Sequence, residues 1–262
     1  MTDRKAKKSQ PVLDLTSVEM SSAAREALRS YTPARIALQR TGVSLATRPL
    51  LDFQLAHARA RDAVHAAVDV RMLCDELRRC GLAALALESQ AKDRLTYLRR
   101  PDLGRVLNAD STALLIPGEY DAVFVVADGL SALAVERHAV QLLRAVLPLI
   151  ADWRLAPVCV VEQGRVAIGD AIGEALGARL AVVLIGERPG LSSPDSLGVY
   201  ITWEPRRGRK DAERNCISNI REEGLGYAPA AARLHHYMKE SSRLQLTGLG
   251  LKDPAGDITG ML

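Results

Sequence analysis

The chain has 262 residues, 48% hydrophobic and 25% charged but only 4% aromatic, which excludes a collagen-like or low-complexity chain and calls for one large core of Leu, Val, Ile and Ala. The net charge of +4 invites a nucleic-acid reading, yet four of the 35 basic side chains (Arg4, Lys5, Lys7, Lys8) and one of the 31 acidic ones (Asp3) lie in residues 1–10, leaving 31 against 30 elsewhere. So balanced a body lacks the excess that a basic stripe for nucleic acid requires. No run reaches the ~18 uninterrupted apolar residues of a membrane span either.

The first residues have no apolar segment of the kind that marks a secretion signal. Cys74, Cys80, Cys159 and Cys216 form no CxxC pair and no metal-ligand spacing, which predicts reduced thiols in a cytosolic protein. Residues 1–34 read as a flexible or partner-contacting tail with a short helix near 21–30. Residues 35–120 read as a helical N-terminal segment. Thr47 is a candidate cap and Pro49 sits in the first turn of a helix expected to run to Cys80, with Leu51, Leu55, Val64, Val68, Leu73 and Leu77 near helical spacing. Its other face carries His57, Arg59, Arg61 and Asp62 among alanines that permit close approach of another surface. Residues 82–120 show no clear period.

From 121 the pattern sharpens. Apolar runs at 121–127, 157–161 and 180–185 alternate with helical patterns at 131–150 and 168–177. This predicts an α/β fold, a Rossmann-like parallel sheet flanked by helices, with residues 121–262 as its binding domain. A short strand at 199–203 and a closing helix at 227–246 follow. The turns Asp128-Gly, Gln163-Gly-Arg and Gly186-Glu-Arg-Pro-Gly then fall at the carboxyl ends of neighbouring strands, where open α/β sheets hold their ligands.

The usual occupants of such a rim are not encoded. Asp128-Gly-Leu-Ser-Ala-Leu has one glycine where a dinucleotide fingerprint needs three, and there is no P-loop, nucleophile elbow or His-Glu-x-x-His. Gly164, Gly169, Gly173 and Gly177, four or five apart, are better explained by close helix–sheet packing than by a phosphate cradle. The histidines have no metal-ligand company, so neither a catalytic residue nor a metal site is assigned. Val166 reads equally as the start of a helix, Glu187 as a partner of Arg188, and Cys216 as core or as a pocket wall.

Five ordered blocks nevertheless carry a resemblance. They are His57-Ala-Arg-Ala-Arg-Asp-Ala-Val64, Val126-Ala-Asp-Gly-Leu-Ser-Ala132, Gly164-Arg-Val-Ala-Ile-Gly-Asp170, Gly186-Glu-Arg-Pro-Gly-Leu191 and Arg214-Asn-Cys-Ile-Ser-Asn-Ile220. Together, over about 35–252, they resemble the small subunit of ethanolamine ammonia-lyase. That resemblance implies an adenosylcobalamin enzyme in which an adenosyl radical takes hydrogen from ethanolamine, and amino migration and elimination give acetaldehyde and ammonia. It implies a large barrel subunit holding the substrate, and a hetero-oligomer with six copies of each chain. The expected location is the cytoplasm, with a bacterial microcompartment as the alternative.

On the same ground Val166, Glu187 and Cys216 are expected to contact cobalamin, as an apolar wall, an acceptor and a small apolar surface. The backbone N–H at Ser131, opening a helix, is a further expected contact for the cofactor phosphate. No Asp-x-His-x-x-Gly motif is present, which agrees with a cofactor bound base-on. Ala37, Gln39 and Ala46 stand where the family tends to have glycine or proline. Two rival readings are a stand-alone nucleotide-binding enzyme and a structural subunit without cofactor contact.

Overall fold

The computed structural model describes residues 22–252 except 33, 37 and 39. Arg4, Lys5, Lys7 and Lys8, and Ala37 and Gln39, lie outside the described residues. The chain divides into two compact units at Gln54/Leu55. The first contains α1 (Ser22–Ser30), a hairpin of β1 (Arg40–Thr41) and β2 (Ser44–Leu45) turning through Gly42, and the opening of α2 (Thr47–His65).

The second unit carries the sheet. In chain order it holds α3 (Val70–Arg79), β3 (Ala84–Glu88), α4 (Arg94–Arg99), α5 (Ala109–Ala113), β4 (Ala122–Ala127), α6 (Ala132–Val146), β5 (Val158–Glu162) and α7 (Ile168–Leu176). The remaining elements are β6 (Leu180–Gly186), β7 (Leu197–Trp203), β8 (Asn215–Ile220) and α8 (Tyr227–Leu244). The strands form one six-stranded sheet in the order β3-β5-β4-β6-β7-β8. The pairs β3–β5, β5–β4 and β4–β6 are parallel, whereas β6–β7 and β7–β8 are antiparallel. Both central strands are buried along their whole length, as expected for β-branched, apolar runs covered on both faces.

Alternation along each strand sends side chains into two cores. Phe124, Val160, Val182, Leu184, Val199 and Ile201 pack with α3, α6 and α8 on one face. Val125, Cys159, Val161, Ala181 and Val183 pack with Ile168, Ile172 and Leu176 of α7 on the other. Gly169 permits this second contact, because a Cβ there would overlap the Val183 side chain. Close helix–sheet packing thus explains at least that glycine of the series.

Two expectations change. The helix foreseen from 47 to 80 is broken after His65, and Asp69 caps a new helix by accepting the Met72 N–H at 2.9 Å. The capping energy of a side-chain acceptor, about 1 kcal/mol, favours restarting there. Leu51 and Leu55, taken as core-facing, are 56% and 52% exposed. The expected parallel strands are present, and the sheet is extended beyond β6 by β7, antiparallel to β6, and by β8, antiparallel to β7. Within the unassigned stretch 82–120, β3 forms an edge of the same sheet.

Candidate functional site

The carboxyl ends of β5, β4 and β6 lie side by side, so Gln163-Gly, Asp128-Gly and Gly186-Glu form one rim. Glycine allows its tight closure. Gly129 has φ +57, and a Cβ on it would overlap the Gly186 carbonyl oxygen. The Leu130 N–H donates to that same oxygen at 2.9 Å, so the turn after β4 is stitched to the end of β6.

Asp128 is the buried anchor of the rim, 1% exposed. One carboxylate oxygen accepts the Gly164 N–H at 3.1 Å and the other faces Arg94 Nη1 at 3.2 Å. Burial pushes its pKa up to about 6, with Arg94 and the backbone donors opposing. Arg94 also donates to the carbonyl oxygens of Val64 at 2.6 Å and Gly129 at 2.9 Å. One guanidinium therefore ties the end of α2 to the turn after β4. Tyr97 lies between Arg94 and Arg165, whose guanidinium carbons sit 4.8 and 4.1 Å from its ring centroid. Its hydroxyl donates to the Gly164 carbonyl at 3.0 Å. Sequence reasoning missed Arg94 and Tyr97 because their stretch has no period. The available signal was Asp93, whose carboxylate caps α4 by accepting the Thr96 N–H at 2.8 Å.

Glu187 leaves β6 half-buried and folds over Gly198 of β7, where a Cβ would sit 2.9 Å from its Oε1. It does not hydrogen-bond Arg188 among the bonds resolved. Instead Ser196 Oγ donates to Oε2, Ser218 Oγ donates to Oε1, and the Asn219 N–H donates to Oε2 at 3.3 Å. A carboxylate offers about four lone-pair positions, so about one remains for a further donor. Asn219 reaches it from the left-handed region, φ +59, which asparagine tolerates.

Cys216 is exposed, not core. It pairs in register with Tyr200, which pairs with Val183. That line of residues shows that Cys216 projects from the face packed by α7. Its sulfur lies 3.9 Å from the Ser218 hydroxyl that holds Glu187. Val166, half-buried in the turn before α7, packs on the same core. The structure thus brings Val166, Glu187 and Cys216 to one face, with Glu187 and Cys216 bridged by Ser218.

Ser131 lies on the opposite face. It caps α6, its hydroxyl oxygen accepting the Ala134 N–H at 3.2 Å while donating to the Pro194 carbonyl at 2.9 Å, and its own N–H donates to Asp128 O at 3.2 Å. Beside it Arg59, Asp62, Ala63, Ala66, Leu133, Arg137 and Pro194 line an open groove of about 540 Å³. The alanines that followed Arg59 in the sequence form part of its floor.

The fold and rim define an α/β protein whose polar groups converge at the carboxyl ends of its parallel strands. Among the described residues no group of three or more His, Cys, Asp or Glu side chains is placed to hold a metal ion. The ethanolamine ammonia-lyase light chain (EutC) family model matches residues 22–252, and the chain belongs to that family. It is 58% identical over 238 residues to an ethanolamine ammonia-lyase small subunit of Ralstonia nicotianae, covering 88% of each chain. It is 59% identical over 237 residues to that of Pseudomonas putida, covering 87% of each. The Pseudomonas paraeruginosa small subunit is 58% identical over 236 residues, or 87% of this chain and 86% of that one.

Proposed function

We propose that this chain is the cobalamin-holding subunit of an ethanolamine ammonia-lyase, converting ethanolamine to acetaldehyde and ammonia together with a large subunit that carries the substrate. The supporting observation is the common face of Val166, Glu187 and Cys216, widely separated in sequence, with one acceptor position still open on Glu187. Those residues suit a ligand with both apolar edges and amide donors. Val166 offers a wall, Cys216 a small polarizable surface, and Glu187 an oriented acceptor. Adenosylcobalamin held there would supply the carbon radical of the reaction. The protein's part here is to bind, orient and exclude water.

Ser131 enters this reading as the cap that sets the first turn of α6 at the rim. Its own hydrogen-bonding groups are engaged internally, so a phosphate contact would fall to the amides that follow it. The assembly is read as six copies of each subunit, which native mass of the co-expressed pair would test.

The decisive experiment is a spectroscopic titration of a cobalamin analogue into the co-purified subunits. Glu187→Ala and Val166→Trp are each expected to weaken binding at least about tenfold, equivalent to ~1.4 kcal/mol. Unchanged affinity in both variants would overturn the pocket. Absence of cobalamin binding in the wild-type complex would favour a structural subunit.

A further inference from the structure

We infer that His138 is a positioning residue for the wall that carries Glu187, and that its protonation releases that wall. This rests on the cofactor reading above and adds to it a group on the opposite side of the sheet.

The connection runs through the loop 187–196 between β6 and β7. Its last residues return to the sheet beside Glu187, whose N–H donates to the Ser196 carbonyl at 2.9 Å and whose carboxylate accepts the Ser196 hydroxyl. The neighbouring residue, Asp195, is held from α6. Arg137 Nη1 donates to Asp195 Oδ2 at 2.7 Å, and His138 Nε2 stands 3.5 Å from the same oxygen. The other ring nitrogen, Nδ1, lies 2.8 Å from the Tyr227 hydroxyl at the start of α8. His138 is therefore wedged between α8 and the loop, 4% exposed. A shift of Asp195 moves Ser196, and Ser196 is one of the donors that aim Glu187.

The groups facing His138 are Arg137 from its own helix, Asp195 from the loop, Tyr227 from α8, and Glu222 and Glu223 from the segment between β8 and α8. They line a cavity of about 290 Å³. Arg221 holds the loop at a second point, donating to the Ser192 carbonyl at 3.4 Å. Among these side-chain types imidazole is the one that ordinarily titrates near neutral pH.

The sign follows from burial. Burial holds the His138 pKa below its ordinary 6.5, against the attraction of Asp195. The closed loop thus binds the proton less well than an open loop that exposes the ring. By linkage, closure is favoured above the ordinary pKa and weakens as pH falls through the lowered one.

The test is hydrogen exchange of the 187–196 amides in the co-purified subunits from about pH 8 to about pH 5, wild type against His138→Gln at each pH so that intrinsic exchange cancels. Gln keeps a donor and an acceptor but does not titrate. Protection of the loop is expected to fall severalfold toward acid in wild type and to stay level in H138Q. Cobalamin-analogue affinity should follow the same profile. Identical exchange profiles in the two proteins would overturn the inference. A differing exchange profile, with affinity insensitive to Glu187→Ala, would uphold the latch and overturn the cofactor wall alone.

Discussion

At the scale of single residues, charge placement dominates the rim. Asp128 has a folded pKa of about 6 against an ordinary 3.8, so the native state binds its proton more tightly than the unfolded chain does. The stability it contributes is greatest below about pH 4 and is lost as pH rises to about 6, by about 3 kcal/mol in all. Asp128→Asn should remove that slope, read as the difference in unfolding free energy between wild type and variant across this range. A slope that survives the substitution would assign it to other groups. Glu187 shows the opposite economy. Its donors are hydroxyls and a backbone amide, which orient a carboxylate without neutralising it.

Helices and strands fix where those residues point. Asp170 on α7 and Arg214, just before β8, form a two-pronged pair at 2.6 and 2.7 Å, each side chain no more than 3% exposed. Thr202 Oγ1 accepts a third bond from Arg214 at 2.8 Å. The pair fastens the strand bearing Cys216 to the helix that follows Val166. Asp170→Ala would strand a buried guanidinium, and a loss of about 3 kcal/mol is expected in urea unfolding. Replacing both members by Leu and Met should cost less than that single change. The result would separate the cost of an unpaired charge from the value of the pair. Gly169, one residue away, has no such latitude, since any side chain there meets Val183.

For the whole molecule, the proposed cofactor face predicts selective chemistry at cysteine. Cys74 and Cys159 are buried and Cys216 is exposed, so an alkylating reagent should modify Cys216 ahead of those two. In the co-purified subunits a bound cobalamin analogue should slow that modification at least about tenfold, by analogy with the affinity scale. Mass spectrometry of the labelled peptide reads it, and equal rates with and without the analogue would place the ligand elsewhere. Among the described residues no helix is long and apolar enough to cross a membrane.

The amino-acid sequence by itself determined the α/β class, because the strands at 122–127, 158–162 and 180–186 are continuous apolar runs bounded by turns, and burial on both faces demands that pattern. It also marked the turns of the rim, since Gly129 and Gly186 sit where backbones meet. Through the ordered blocks it pointed to Val166, Glu187 and Cys216 as a set. It did not show that Cys216 is exposed, because a cysteine between Asn215 and Ile217 reads the same on either face until the strand's register is known. Nor did it find Arg94, Ser196 or Ser218, whose roles depend on partners far along the chain. Tertiary structure alone decided the reversed direction of β7, the placing of β8 beyond it, and which residues share a face. Those outcomes depend on long-range pairing across the sheet, which local sequence period does not encode. The turn beginning at Gly186 is thus legible locally, but Glu187 is held there only because the chain returning through β7 and β8 brings Ser196 and Ser218 to its carboxylate.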